Sequence, residues 1–185
     1  MTNLFENPSS RHIPLAEAMR PQNLEDIIGQ DHILQEGGAL KTMLASDNLS
    51  SLILWGPPGC GKTTLAKLIA SHVDMEFASI SAVLSGVADV RRVFEHAESA
   101  AQMGRRTLLF VDEIHRFNRA QQDSFLAHLE DGRITLIGAT TENPSFELNG
   151  ALLSRTQVLS LKPLTDKDLA HLLKKSEEHL GNTLP

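Results

Sequence analysis

A run of nine residues, Gly56 to Thr64, carries glycines and a lysine at a spacing that suits phosphate binding, and it reads GPPGCGKTT. It directly follows the apolar stretch 52–55 and directly precedes a helical pattern. The glycines let the backbone wrap closely around an anion, and the amide N–H groups that open a helix point toward negative charge. The run and its setting therefore predict a cradle for a nucleoside triphosphate.

Two side chains at the end of this run have the chemistry to complete the cradle. Lys62 would reach the β- and γ-phosphate oxygens, and the Thr63 hydroxyl would bind Mg²⁺. The residues expected around the phosphates are Gly56, Pro57, Pro58, Gly59, Cys60, Gly61, Lys62, Thr63 and Thr64.

A pair of carboxylates, Asp112 and Glu113, ends a second apolar stretch over residues 108–111. Ligands of open α/β sheets bind at the carboxyl edge of the strands. Asp112 would hold Mg²⁺ directly or through water, and Glu113 would polarise a water for in-line attack on the γ-phosphate. The alternative is that the pair only begins the next segment of the chain.

Two further signals are weaker because their residue types are common at such positions. A hydroxyl at Thr141, or alternatively at Thr140, would hydrogen-bond the attacking water or the γ-phosphate from the end of another strand. Arg155 precedes a strand and is either a surface residue or an arginine finger for the nucleotide of a neighbouring subunit. Its spacing does not choose between the two.

Strands that alternate with helices are needed to position these groups. Strands are predicted over residues 52–55, 75–80, 107–111, 134–139 and 157–161, and most of these are short apolar runs. Periodic patterns predict helices over residues 61–72, 87–102 and 120–130, and a final helix that Thr165 caps and that runs to residue 180. Val87, Val90, Phe94 and Ala97 are expected to face inward. The alternation predicts an α/β fold around a parallel sheet.

Composition narrows the class of protein. The 185 residues carry a formal net charge of −6, so any contact with nucleic acid must come from a local basic patch. The single cysteine excludes an internal disulfide and indicates a reducing compartment. The first ten residues show no secretory signal and no apolar run approaches a membrane span, so we expect a cytoplasmic protein without a membrane partner.

These motifs, in this order, resemble those of the AAA+ ATPases, and in particular the RarA (MgsA) group, relatives of the clamp loaders and of the Werner-helicase-interacting protein. The resemblance covers residues 13 to 165 and is carried by MRPQNLEDIIGQDHIL, GPPGCGKTT, LLFVDEIHR and GATTENPSFELNGALLSR. The stretch ENPSFELNGALLSR separates the chain from the Holliday-junction motor RuvB, which shares a similar GQ segment, DEIH and GATT. A P-loop NTPase three-layer sandwich is implied, with a five-stranded parallel sheet in the order 5-1-4-3-2.

The resemblance also implies cofactors, partners and residue roles. Group members are DNA-dependent ATPases that form homotetramers and act at stalled replication forks and single-strand gaps, with single-strand-binding protein as a partner. ATP and Mg²⁺ are the implied cofactors, and a nucleoid location at forks is implied. The implied site consists of Lys62, Thr63 and Asp112 as phosphate and Mg²⁺ ligands, Glu113 as the base, Thr141 as sensor 1, Arg155 as the trans-acting finger, and Ile27, Ile28 and Gly29 near the adenine.

The same resemblance divides the chain into three parts. Residues 1–12 are expected to be a loose arm, residues 13–164 the AAA+ nucleotide-binding domain, and residues 165–185 the start of a truncated helical lid. The family's sensor-2 arginine and its oligomerisation region would then lie beyond this stretch. We therefore expect this chain by itself to be weak or inactive in ATP turnover and in tetramer formation.

Other functions fit parts of the sequence. A protein-remodelling AAA+ enzyme is expected to carry an aromatic residue in the loop after the second strand, whereas residues 79–87 read SISAVLSGV. A nucleotide-gated scaffold would bind without turnover, and Glu113 argues against that. The run DEIH also matches superfamily 2 helicases, which need a second RecA-like domain.

Three residues near the motifs have two interpretations each. Arg116 and Arg119 either contact DNA phosphates or form a solvated helix start. Cys60 is either a thiol made reactive by nearby positive charge or a small side chain that fills space.

Overall fold

The computed structural model of the chain describes residues 15–46 and 49–181. The predicted loose arm at residues 1–12 lies outside the described residues. Within the described ranges, no helix is long and apolar enough to cross a lipid bilayer.

Five strands form one parallel sheet in the order β2-β3-β4-β1-β5. The strands are β1 (Leu52–Trp55), β2 (Glu76–Ser81), β3 (Thr107–Asp112), β4 (Ile134–Thr140) and β5 (Gln157–Ser160). Each strand begins and ends within one residue of its prediction. Read from the other edge, the order is 5-1-4-3-2, so the implied order is confirmed.

Helices cover the sheet and its edges. They are α1 (Leu15–Ala18), α2 (Asp31–Leu34), α3 (Ala39–Ala45), α4 (Lys62–His72), α5 (Val87–Gln102), α6 (Arg119–Glu130), α7 (Pro144–Glu147), α8 (Gly150–Leu153) and α9 (Asp166–Leu180). Short 3₁₀ turns lie at Leu24–Asp26 and Ile114–Arg116. Side-chain caps fix the starts of the longer helices α6 and α9, where Asn118 and Thr165 each accept a backbone hydrogen bond.

The core consists of two apolar clusters, one on each face of the sheet. Side chains alternate along a strand, so Leu52 and Leu54 join the cluster beneath α4, whereas Ile53 joins the cluster beneath α5 and α6. Both clusters are largely aliphatic. Strands buried on both faces are what an all-parallel sheet requires.

The inward-facing role predicted for Val87 is wrong. Its side chain is 70% exposed, whereas Val90 and Ala97 are buried and Phe94 is partly buried. Val87 is the first residue of α5, which starts beyond the carboxyl edge of β2. The apolar period of α5 therefore includes Val87, although the sheet does not extend far enough to cover this residue.

The helices α7 and α8 were not predicted. Each is a single turn held by a side chain at its start: the Ser145 N–H donates to Asn143 Oδ1 at 3.0 Å, and the Leu152 N–H donates to Asn149 Oδ1 at 2.7 Å. One turn is too short to produce a readable apolar period.

Candidate nucleotide-binding site

The predicted phosphate loop begins where β1 ends. The Gly56 N–H donates to the Thr140 carbonyl at 3.2 Å, which ties the loop to the end of β4. A Cβ atom at Gly56 would lie 2.7 Å from the Leu161 carbonyl oxygen and 3.1 Å from Cys60 Sγ. Only glycine therefore fits between β5 and the loop at this position.

The loop turns with left-handed backbone at Gly59 (φ +76°) and at Gly61 (φ +96°), and Gly61 immediately precedes α4. A Cβ atom at either glycine would meet no heavy atom within 4 Å, so the demand for glycine here is conformational. Such a turn into a helix N-terminus directs consecutive N–H groups into one concavity, which favours an anion.

Lys62 places its ammonium group inside this loop. Its Nζ donates to the Gly56 carbonyl at 2.8 Å and to the Pro57 carbonyl at 2.9 Å, and the residue is only 9% exposed. None of the ion pairs found in the described part of the chain includes Lys62. A nearly buried cation whose contacts are carbonyls and that retains a third N–H fits a phosphate oxygen well.

The two carboxylates lie at the carboxyl edge of β3. Asp112 is the last residue of the strand, and its carbonyl accepts from the Ala82 N–H at 2.9 Å. Glu113 adopts left-handed backbone (φ 52°, ψ 46°), which costs a non-glycine residue of the order of 1–3 kcal/mol. This conformation turns the chain out of the sheet directly after Asp112.

The Glu113 carboxylate is held by two neighbours. Thr141 Oγ1 donates to Glu113 Oε2 at 3.4 Å, and His115 Nδ1 lies 3.2 Å from the same oxygen. Thr141 follows β4, the strand between β1 and β3, so the sheet order brings the loop, Thr141 and Glu113 to one edge. Two strand spacings, about 10 Å, separate β1 from β3.

Thr140 supports this arrangement from below. Its side chain is fully buried, and its Oγ1 lies 2.9 Å from His115 Nδ1 and accepts from the Glu142 N–H at 3.0 Å. The same ring nitrogen lies 3.2 Å from Glu113 Oε2. His115 thus links the buried Thr140 to the carboxylate of Glu113, a role that the sequence interpretation missed.

Gly138 makes room for the turn that carries Glu113. A Cβ atom at Gly138 would lie 2.9 Å from both Ile114 Cδ1 and Ile53 Cδ1. The glycine therefore lets Ile114, which is fully buried, pack against β4 directly after Glu113.

Thr63 and Asp112 are the predicted Mg²⁺ ligands. Thr63 is the second residue of α4, and Asp112 ends β3 at the same edge of the sheet. The described residues contain no cluster of three or more His, Cys, Asp or Glu side chains suited to a metal. A hydroxyl and one carboxylate fit Mg²⁺, because this ion takes its remaining ligands from nucleotide phosphates and water.

The predicted adenine-side segment, Ile27, Ile28 and Gly29, lies beside the start of α9. Gly29 has φ +82°, and a Cβ atom there would lie 2.8 Å from Leu164 Cδ2 and 3.0 Å from Asp168 Oδ2. The backbone and side-chain hydrogen bonds from Thr165 lower the pKa of Asp168. The segment is thus in close contact with the helix that follows β5.

Arg155 lies apart from the phosphate loop of its own chain. Its Nε donates to Glu130 Oε1 at 2.8 Å, and its Nη1 donates to the Ala151 carbonyl at 2.9 Å. The side chain is 38% exposed. None of these partners belongs to the predicted phosphate site, so the structure does not bring Arg155 together with Lys62.

Arg116 and Arg119 follow the carboxylates, at the end of the 3₁₀ turn and at the first residue of α6. Both are exposed, and no ion pair in the described ranges involves either one. Two guanidinium groups near the carboxyl edge of the sheet are therefore available to an anionic partner.

Gln122 is a second residue that the sequence interpretation missed. It is 1% exposed; its Nε2 donates to the Glu147 carbonyl at 3.2 Å and its Oε1 accepts from the Asn149 N–H at 2.9 Å. It thereby joins α6 to the segment between Thr141 and Arg155. Gln122 shares one helical face with the apolar residues Phe125 and Leu129. A polar residue on an otherwise apolar face is the sequence signal that could have identified Gln122 as buried.

Comparison with known proteins agrees with this geometry. Residues 52–164 match the family model described as "ATPase family associated with various cellular activities (AAA)". Replication-associated recombination protein A of Escherichia coli (strain K12) is 55% identical over 165 residues, which cover 89% of this chain and 37% of that protein. ATPase WRNIP1 of Dictyostelium discoideum is 52% identical over 165 residues, which cover 89% of this chain and 19% of that protein.

A solved structure of the RuvB Holliday junction branch migration motor of Thermotoga maritima matches with a TM-score of 0.71 at 31% identity, over 88% of this chain and 55% of that chain. The present chain spans 37% of the length of its Escherichia coli relative. The family match covers more than half of the chain. The chain therefore belongs to the AAA family of ATPases, and its similarity to replication-associated recombination protein A and WRNIP1 confirms the predicted RarA group.

Proposed function

We propose that this chain is the ATP-hydrolysing domain of a DNA-dependent AAA+ protein that maintains replication and recombination at stalled forks or gaps. The observation that carries the proposal is the position of Glu113, whose carboxylate accepts a hydrogen bond from Thr141 at the end of the strand that pairs with β1. A carboxylate at this edge, beside a phosphate loop, has the chemistry to accept a proton from an attacking water.

The residues of the loop bind and orient ATP in this mechanism. The backbone N–H groups of residues 59–62 and the third N–H of the Lys62 ammonium group would hold the phosphates, while Thr63 and Asp112 would hold Mg²⁺. Mg²⁺, when bound, would neutralise part of the negative charge on the β- and γ-phosphate oxygens. Glu113 takes the proton of the water, and Thr141 keeps the carboxylate oriented toward it.

Arg155 acts in trans, on ATP bound by a neighbouring copy of the chain. Its hydrogen bonds to Glu130 and Ala151 keep it on the surface, outside the phosphate site of its own chain. A finger supplied by a neighbour makes hydrolysis depend on assembly. The assembly is a homo-oligomer, with four copies proposed on the resemblance to the RarA group.

DNA is the proposed regulatory partner. Arg116 and Arg119 are exposed; Arg116 ends the 3₁₀ turn that begins directly after Glu113, and Arg119 is the first residue of α6. Arginine contacts to phosphates give affinity that depends on salt and not on base sequence, which suits single-stranded, gapped or forked DNA. Single-strand-binding protein is a second proposed partner, and the proposed location is the cytoplasm at the nucleoid.

ATP turnover by the full-length protein, measured with and without gapped or forked DNA, tests this proposal. We expect stimulation by DNA, and we expect Glu113→Gln to retain ATP without hydrolysing it. Stimulation by an unfolded polypeptide in place of DNA would support the protein-remodelling alternative. Binding of ATP that never leads to turnover would support a nucleotide-gated scaffold.

A further inference from the structure

An apolar loop stands exposed where β2 passes into α5. It consists of residues 82–87, and three of its side chains face solvent: Val83 is 61% exposed, Leu84 86% and Val87 70%. Single exposed aliphatic residues are ordinary on a protein surface, but three within five positions form a patch. Nothing in the hydrolysis mechanism uses them.

Hydrogen bonds hold this loop in one shape. The Leu84 N–H donates to the Ser81 carbonyl at 3.1 Å, and the Ser85 N–H donates to the same carbonyl at 2.8 Å. The Gly86 N–H donates to Asp89 Oδ2 at 2.8 Å. The apolar side chains are thus presented to solvent by a fixed turn, which lowers the entropy cost of binding a partner there.

The loop shares a corner of the molecule with the two unpaired arginines. The Ala82 N–H donates to the Asp112 carbonyl at 2.9 Å, and Ala82 packs on the buried cluster that contains Phe117. Phe117 lies between Arg116 and Arg119 in the chain. Three acids lie near this corner: Asp89, whose Oδ1 is 3.3 Å from Arg92 Nη1, and the site carboxylates Asp112 and Glu113, the second of which is in contact with Thr141 and His115.

The charge of this corner selects the kind of partner. Two free guanidinium groups beside an aliphatic loop complement a ligand that offers both negative charge and apolar surface. DNA at a junction between duplex and single strand offers phosphates together with the face of a terminal base pair. Aliphatic side chains act in such contacts as wedges at a base step, whereas strand-tracking platforms use aromatic residues, which this loop lacks.

We propose that residues 82–87 form a wedge that contacts the terminal base pair of a DNA junction, with Leu84 at its tip and Arg116 and Arg119 on the flanking phosphates. This inference rests on the proposed function, because it takes DNA as the partner, and it adds which part of the chain meets the bases. The loop thereby confers preference for junctions, and the arginines supply affinity for any DNA.

The experiment uses the full-length protein and a forked DNA that carries 2-aminopurine in the last base pair before the fork. Binding of the unmodified protein is expected to raise the fluorescence of the probe, because the wedge unstacks that base. The variant Leu84→Ser is expected to abolish most of this rise and to weaken fork binding about tenfold, while leaving affinity for unbroken duplex unchanged. Met103→Ser is the matched control.

Met103 is 62% exposed and follows the opposite end of α5, about 24 Å away along a helix of 16 residues. The double variant Arg116→Ala/Arg119→Ala is expected to weaken binding to fork and duplex alike. It should also reduce the slope of the logarithm of the binding constant against the logarithm of the salt concentration by about 2 in magnitude. If Leu84→Ser behaves like Met103→Ser in both the 2-aminopurine fluorescence and the fork affinity, the proposed wedge is wrong, whereas the proposal that the protein binds DNA is unaffected.

Two other outcomes are equally decisive. If the unmodified protein binds no DNA, the proposed function fails first and the wedge fails with it. If Leu84→Ser leaves fork binding intact but removes stimulation by an unfolded polypeptide, the loop contacts protein and the inference is overturned.

Discussion

Gln30 and Lys162, 132 positions apart, form a reciprocal pair of hydrogen bonds: Gln30 Nε2 donates to the Lys162 carbonyl at 2.8 Å, and the Lys162 N–H donates to Gln30 Oε1 at 3.0 Å. Gln30 is 1% exposed, and its Nε2 lies 3.4 Å from the Cys60 carbonyl. One side chain therefore joins the end of the predicted adenine-side segment, the chain after β5 and the predicted phosphate loop.

Replacing Gln30 by leucine leaves the Lys162 amide without its partner in a part-buried position. We expect Gln30→Leu to lower the free energy of unfolding by about 2 kcal/mol and to weaken ATP binding, since the adenine side is no longer tied to the loop. Urea unfolding and titration calorimetry measure the two effects. Gln22→Leu, at an exposed glutamine, is the control, and equal stability of the two variants would contradict the prediction.

Strands β1, β3 and β4 could be predicted because they are short apolar runs that the sheet buries on both faces, whereas the edge strands β2 and β5 are only partly buried. The phosphate loop and the acid pair could be predicted for a related reason: their function depends on residues adjacent in sequence. Parallel topology then places Glu113 and Thr141 at one edge, although 28 positions separate them. These parts of the site follow from local pattern and general sheet geometry.

The remainder of the site depends on contacts between distant residues. Gln30 and Gln122 each satisfy backbone groups of another segment, and a lone polar residue in the sequence does not show which groups it will meet. The helices α7 and α8 depend on asparagine caps over one turn, too short for a period. The prediction that Val87 faces inward was wrong because the apolar helical period extends beyond the part of α5 that the sheet covers.

The two threonines after β4 have separable contributions. We expect Thr141→Val to lower ATP turnover about 10–100-fold at unchanged ATP affinity, because only the contact with Glu113 is lost. Thr140→Val removes a fully buried hydroxyl bonded to Glu142 and His115, so it is expected to destabilise the fold by about 1–3 kcal/mol as well. Steady-state turnover and thermal unfolding distinguish them; matching effects on stability would refute this separation.

Arg155 offers a test of action in trans. If Arg155 is a finger, Arg155→Ala in the full-length protein is expected to lower turnover about 10³-fold without changing ATP affinity, which is the effect typical of arginine fingers. Glu130→Ala breaks only an exposed ion pair and is expected to change turnover by less than about fivefold. Mixing Arg155→Ala subunits with Lys62→Ala subunits should restore part of the activity, because each supplies what the other lacks. Failure of the mixture to exceed either parent would exclude a finger in trans.

Cys60 is 4% exposed and belongs to the apolar cluster that includes Leu161. This burial favours the space-filling interpretation over the reactive thiol. We expect Cys60→Ala to retain ATP affinity within about threefold and native alkylation by iodoacetamide to be at least about a hundredfold slower than in urea. Rapid native alkylation that bound ATP prevents would reverse this assignment.

The start of α9 is expected to respond to acid through Asp168. Its carboxylate accepts hydrogen bonds from the Thr165 N–H and Oγ1, both at 2.8 Å, and these lower its pKa below the usual 3.8. A carboxyl whose pKa is depressed by folding stabilises the fold fully above its unfolded value, and this contribution is lost as the pH falls through the folded value.

Carboxyl-carbon NMR titration should therefore give Asp168 a midpoint below pH 3.8, with the Thr165 N–H shift following the same curve. Thr165→Val removes the hydroxyl donor and should move the Asp168 pKa upward, whereas Thr156→Val, at a threonine that does not contact Asp168, should leave it in place. If Thr165→Val leaves the titration midpoint of Asp168 unchanged, the Thr165 hydroxyl does not hold this carboxylate. Another contact would then have to keep Asp168 packed against Gly29.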